Sequence, residues 1–296
     1  MAGNLIALRR RIKSVKNTQK LTRAMKTVAA AKLRRATTEL KKSRPYRDKI
    51  AFLLQQAAVG VVLEAQPLLK GADQGAVLLV VVASDKGLCG AFNSHVLKQS
   101  EAHCRELTAA GQKVSLVTVG TKASRYFSKR NLEPDKTYNG LISRLQFADA
   151  SRLAAELQAL FLEGGIQSIE FAFSEFVSAS RQQFSIRRLF PVALAPAAAP
   201  HAEEDAAAKK AGYIFEPGAD ALFASLLPRH ISALVYQMLL QSMAAEQVAR
   251  MVAMDLATRN ASDMIRGLTL LLNKMRQAAI TKELLEIITA TEALNK

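Results

Sequence analysis

The stretch with the densest supply of reactive groups is residues 84–93, SDKGLCGAFN, which follows an apolar run and precedes a helical pattern. Strand-to-helix turns of that kind are where α/β proteins often hold ligands. A phosphate-binding P-loop, however, needs G-x-x-x-x-G-K-[ST], and here Gly87 and Gly90 lie too close together with no lysine after the second. No G-x-G-x-x-G occurs either. A structural turn and a nucleotide site both fit this position, and the motif geometry is lacking for the latter.

Other candidate groups are sparse. The four histidines are His95, His103, His201 and His230. His95 and His103 fall on one predicted helix beside Cys104, without an i,i+4 pair or a carboxylate cluster, so no metal and no cofactor is expected. Cys89 and Cys104 are too few for a disulfide framework and fit a reducing compartment as small, buried hydrophobes. There is no nucleophile elbow and no metalloprotease helix. This poverty favours a binding or mechanical role over catalysis and predicts a protein that is not an enzyme. A nucleotide-dependent α/β enzyme stands as the third reading.

The elements that would position these groups are marked out by proline and glycine. Residues 1–44 contain no proline and only Gly3, and residues 229–296 contain no proline and only Gly267. Two long helical arms are predicted, residues 1–59 and 219–296. At about 1.5 Å per residue each would exceed the width of a domain of this size. Helices that long need a partner along their length, and the simplest is the other arm, in an antiparallel coiled coil.

Leu8, Ile12, Val15, Ala29, Leu33, Ala36 and Leu40 follow coiled-coil spacing in the first arm, interrupted by polar Gln19, Thr22 and Lys26. In the second arm Ile231, Leu234, Met238, Ala245, Val248 and Val252 keep the spacing, and Met264, Leu268, Leu271 and Met275 resume it in a shifted frame. Between the arms, predicted strands at 77–83, 113–120, 168–176 and 182–192 alternate with helices at 94–110 and 147–164. That alternation predicts a Rossmann-like α/β domain over 76–192 with a mostly parallel sheet covered on both faces. The Ala- and Pro-rich residues 193–212 read as a flexible linker.

Charge is segregated. Of the net +16, residues 1–49 carry +14, from sixteen Lys or Arg against Glu39 and Asp48, while residues 50–228 sum to zero. The basic arm fits a solvated helix face, a nucleic-acid contact or an acidic protein surface around a shaft. Tyr46 is the only aromatic residue among the first 49, so base stacking has almost nothing to work with. The longest apolar run, residues 76–83, is too short to span a bilayer, and no signal-peptide pattern follows the basic start.

At both ends the chain resembles the gamma subunits of F-type ATP synthases, of bacterial type. The resemblance is carried by RRRIKSVKNTQKLTRAMKTVAAAKLRRA near the start and NKMRQAAITKELLEIITATEAL at the finish, with RPYRDKI, SDKGLCGAFN and AAEQVARMVAMDLAT between them. It implies a central-stalk rotor that transmits torque between a membrane c ring and catalytic beta subunits, with ATP chemistry left to its partners. Those partners would be alpha and beta subunits around the coiled coil, the epsilon subunit and the c ring, with no nucleic acid and no small-molecule substrate. The implied location is the cytoplasmic face of the bacterial inner membrane, held peripherally through the complex.

The same resemblance implies roles for single residues. Met25, Arg250, Gln277, Thr281 and Glu283 would make rotor–stator and coupling contacts, and Tyr213 and Glu216 would lie toward the c ring and epsilon. The polar interruption from Gln19 to Lys26 would supply sparse, re-formable contacts to the surrounding ring. The runner-up is a basic coiled-coil nucleic-acid-binding protein.

Overall fold

The computed structural model describes residues 2–58, 61, 66–71, 74–178, 181–193, 216 and 218–294. These form two compact units, Met1–Ala30 with Arg250–Lys296, and Ala31–Ala249. Two long helices, α1 (Ala2–Ala58) and α5 (Ala219–Leu294), contribute to both. Pro45 and Pro228 lie inside them, so neither proline ends its helix despite removing one backbone donor.

The larger unit is built on a five-stranded sheet: β1 (Ala76–Val82), β2 (Val114–Val119), β3 (Lys136–Tyr138), β4 (Ile166–Phe176) and β5 (Gln182–Phe190), in the order β3-β2-β1-β4-β5. Every neighbouring pair is parallel except β4–β5, which is antiparallel. α2 (Phe92–Ala109), α3 (Thr121–Ser128) and α4 (Phe147–Leu162) connect the strands.

β1 is buried over its whole length, as expected of a central strand covered on both faces. Leu78, Val80 and Val82 join Leu153, Leu157 and Phe161 of α4 with Phe223, Leu227, Ile231 and Val235 of α5 on one side. Leu79, Val81 and Ala83 join Val96, Leu97 and Cys104 of α2 with Ala123 and Phe127 of α3 on the other. The alternation follows directly from the period-two pleat.

α3 and β3 are absent from the sequence expectation. β3 is three residues long with two of them exposed, too short and too polar to leave a pattern. From His230 to Val248, α5 is buried except for half-buried Leu234, Tyr236 and Met243. A helix covered all round is a core element rather than an amphipathic one. Within this unit Leu240 and Ala244 pack on Ala36 and Leu40 of α1. The 193–212 linker expectation lies, apart from Ala193, outside the described residues.

The smaller unit is a pair of antiparallel helix segments. On α1 every expected seam position from Leu8 to Ala29 is buried or half-buried: Leu8, Ile12, Val15, Gln19, Thr22, Lys26 and Ala29. On α5 the expectation needs correcting. Val252, Met264 and Leu271 are 46%, 46% and 45% exposed. Leu268 and Met275 face inward as expected, and the full inward-facing set is Met254, Thr258, Ala261, Ile265, Leu268, Leu272, Met275 and Ala279. Their spacing alternates strictly between four and three, so one unbroken frame serves the whole segment. Thr258 concealed it, because a hydroxyl side chain does not read as a seam residue in a hydrophobicity pattern.

Candidate functional site

The 84–93 turn proves to be architecture. Asp85 accepts hydrogen bonds from the Thr121 N–H at 3.2 Å, the Gly140 N–H at 2.8 Å and the Ser143 hydroxyl at 2.8 Å. One carboxylate thus ties together three loops at the C-terminal edge of the sheet. Burial pushes the Asp85 carboxyl up, but the bonds from Gly140, Ser143 and Thr121 outweigh it and leave it below its ordinary value. Asn93 Oδ1 accepts from the Ser84 N–H and hydroxyl, closing the turn from its other end.

The strand order reverses between β1 and β4, which is where an open α/β sheet would hold a nucleotide. Cys89, Phe92 and Phe176 there pack directly on Ala245 and Ala249 of α5. The chain's own helix fills the crevice. Gly120 is fixed by the same crowding: its φ is +100°, and a Cβ there would lie 2.0 Å from the Ala83 carbonyl oxygen.

The histidines do not converge. His95 is exposed, His103 Nε2 pairs with Glu170 at 2.8 Å, and buried His230 sits on α5. His201 lies outside the described residues. Among the described residues there is no group of three that could hold a metal, and no helix long and apolar enough to cross a membrane.

The smaller unit carries the distinctive chemistry. Three polar rungs cross between its helices. Gln19 Nε2 donates to Ser262 Oγ at 2.6 Å, Thr22 and Thr258 share a hydroxyl bond at 2.8 Å, and Lys26 Nζ donates to Asp255 at 2.5 Å. The Lys26 ammonium hydrogen-bonded to Asp255, with Arg259 beside it, holds that carboxyl below the ordinary range. This corrects the expectation that Gln19, Thr22 and Lys26 make outward contacts: they face the partner helix and are satisfied there. Each bond contributes only about 1 kcal/mol net, but leaving one of these groups unpaired costs more, so the rungs fix the register of the pair.

The outer face of α1 is strongly cationic. Arg9, Arg10, Arg11, Lys13, Lys16, Lys20 and Arg23 are all exposed, and none makes an ion pair among the described residues. Continuing the register of the rungs places Ala2 opposite Ala279. Beyond that point α5 is a lone helix, exposed at every residue from 280 to 291. It carries bare apolar side chains: Ile280, Leu284, Leu285, Ile287 and Ile288 are 50–63% exposed.

Met25, Arg250, Gln277, Thr281 and Glu283 all belong to this unit. Met25 and Arg250 are half-buried, while Gln277, Thr281 and Glu283 are exposed near or on the lone segment. Thr281 Oγ1 donates to the Gln277 carbonyl at 3.0 Å. Glu216 is exposed outside any helix or strand, and Tyr213 lies outside the described residues. The bare Ile and Leu residues were not singled out from the sequence, although their run in ITKELLEII, residues 280–288, is visible there.

Comparison with known proteins adds an independent line. Residues 4–294 match the family described as ATP synthase. The chain is 40% identical over 287 residues to an ATP synthase gamma chain of Pelotomaculum thermopropionicum, covering 97% of this chain and 98% of that one. It is also 40% identical over 294 residues to an ATP synthase gamma chain of a Geobacter species, covering 99% of both. The fold matches a chain in the Euglena gracilis mitochondrial ATP synthase OSCP/F1/c-ring structure, rotational state 3. There the TM-score is 0.67 and identity 20%, over 99% of this chain and 95% of that one.

Proposed function

The chain belongs to the ATP synthase gamma-chain family, and from that premise we propose that it is the central-stalk rotor. In this reading it is non-catalytic and carries torque between a c ring and catalytic beta subunits. The observation that supports the reading best is the helix pair: polar rungs lock the two segments to one another, while the outer face stays cationic and solvated. A shaft needs internal rigidity and an outer face that sticks to nothing permanently. Exposed charges in water form such weak, exchangeable contacts, each contributing about 1 kcal/mol or less.

A single asymmetric pair inside a pseudo-threefold ring of alpha and beta subunits touches each catalytic site differently. Each site is therefore biased toward a different conformation, and rotation exchanges those biases in turn. The lone segment beyond Ala279 supports the same reading, since an isolated helix with bare Ile and Leu is marginal in water and gains order from a surrounding sleeve.

Met25, Arg250, Gln277, Thr281 and Glu283 would meet that ring. Tyr213 and Glu216 would lie toward epsilon and the c ring. For force transmission the division would be helical arms 1–59 and 219–296, an α/β body 76–192 and a connection at 193–212. The location would be the cytoplasmic face of a bacterial inner membrane, peripheral through the complex.

The test is reconstitution of the purified chain with alpha and beta subunits, with a bead attached to the α/β body. Stepwise ATP-driven rotation is expected, together with no ATPase activity from the chain alone. A complex that hydrolyses ATP equally well without the chain and never turns the bead overturns the reading. Retention of nucleic acid that is lost steeply with salt would favour the runner-up instead.

A further inference from the structure

On α1 of the smaller unit, Arg9, Lys13, Lys16, Lys20 and Arg23 follow one another at alternating spacings of four and three residues. That spacing keeps them on one face of the helix, in a stripe about 21 Å long at a rise of about 1.5 Å per residue. All five are exposed, and none makes an ion pair among the described residues. Lys26, the next cation along the helix, turns inward to Asp255 instead, and Arg259 shares that carboxylate.

Little in this unit can neutralise the stripe. No Asp or Glu occurs before Glu39, and the only acids in residues 250–279 of α5 are Asp255 and Asp263. Like charges three and four residues apart on a helix repel, so an anion lying along the stripe relieves a strain that α1 otherwise carries. An occupant that meets five charges in a row must be linear. It must also bind through charge alone. Residues 1–30 and 250–296 contain no aromatic residue and no histidine, so no ring is available to stack a nucleic-acid base.

We propose that this stripe binds linear inorganic polyphosphate when the chain stands outside any assembly. Such a chain carries its charge on its backbone, with no sugar or base between the phosphates. Arg9 and Arg23 present planar forks that grip two phosphate oxygens at once, and the three lysines between them act as point charges. An acidic peptide would have to immobilise several flexible glutamate side chains to offer the same row of charge, an entropic cost the phosphate chain avoids. The inference goes beyond the rotor reading and does not rest on it.

The probe is inorganic polyphosphate, titrated calorimetrically into the full-length chain at several salt concentrations, with oligodeoxythymidylate and polyglutamate as comparators at equal total charge. Saturable binding is expected, tightest for polyphosphate. At about 0.7 per contacted phosphate, five contacts give a slope of log affinity against log salt of about −3.5. Replacing Lys13, Lys16 and Lys20 together by Gln should weaken binding at least about tenfold and make that slope shallower by about two. Replacing Lys98, Lys113 and Lys129 by Gln removes the same charge from exposed positions of the larger unit and should leave the affinity within about twofold. Gln keeps the helix propensity of Lys, so unchanged helical circular dichroism separates lost binding from lost folding. The proposal is overturned by absence of saturable binding, by equal losses in the two triple variants, or by tighter binding of either comparator.

Discussion

Replacing Thr22 and Thr258 together by cysteine puts the inward-facing rungs to the test. The two hydroxyl oxygens are 2.8 Å apart, and Thr22 is 8% exposed. Sulfurs in their place need to close by less than about 1 Å to reach the disulfide length of about 2.0 Å. The bridge would join positions 236 residues apart in sequence. Constraining a loop that long removes chain entropy equivalent to about 5 kcal/mol at 25 °C as a ceiling. Engineered bridges commonly fall short of their ceiling, so a gain of about 2–4 kcal/mol is expected.

Native Cys89 and Cys104 are both buried and do not compete for the oxidant. Thiol titration in denaturant should show both added thiols consumed, and the urea midpoint should rise on oxidation and return on reduction. ATP-driven rotation of the reconstituted complex should be unchanged, because both sulfurs belong to one shaft. The reasoning fails if the bridge does not form. It fails equally if the bridge forms and stalls rotation, since that would mean these positions face the stator after all.

Four further outcomes follow from the geometry. Gly120→Ala forces a Cβ onto the Ala83 carbonyl at positive φ and should cost at least about 3 kcal/mol, read as a lowered thermal midpoint or loss of soluble chain. Ala36→Leu, at a fully buried contact with Leu240 and Ala244, should cost about 1–3 kcal/mol by overpacking, measured by urea denaturation. Asp85→Ala should destabilise by about 2 kcal/mol near neutrality. Because the folded carboxyl titrates below its unfolded value of about 3.9, that difference is full above about pH 4 and shrinks as pH falls further; a difference that grows on acidification would refute the assignment. Burial, helped by Glu101, pushes the Cys104 thiol up to about 11, so alkylation at pH 8 should be negligible until urea unfolds the chain, as followed by intact mass.

Much of this protein is written locally. The absence of proline and glycine from the terminal arms, the continuous apolar run of β1 and the strand–helix alternation are one-dimensional signals, and helix and strand periods translate them directly. The α1 seam was legible for the same reason, down to the polar positions at Gln19, Thr22 and Lys26. The direction in which those polar groups point was not: a polar residue at a seam position fits an internal rung and an external contact equally well until Ser262, Thr258 and Asp255 are seen opposite.

The same limit explains the α5 frame. Val252, Met264 and Leu271 look like seam residues because they are apolar, whereas Thr258 and Ala261 occupy the seam because of where α1 lies. Sequence determined that there would be two long helices, a parallel-type sheet and a concentrated positive charge. Tertiary structure alone decided that α5 fills the crevice beside Cys89 and Phe92, and that Gln19, Thr22 and Lys26 turn inward onto Ser262, Thr258 and Asp255. Periodicity is set by the backbone of one segment, whereas burial and partnership depend on residues far apart in the chain, and no local pattern records where those will meet.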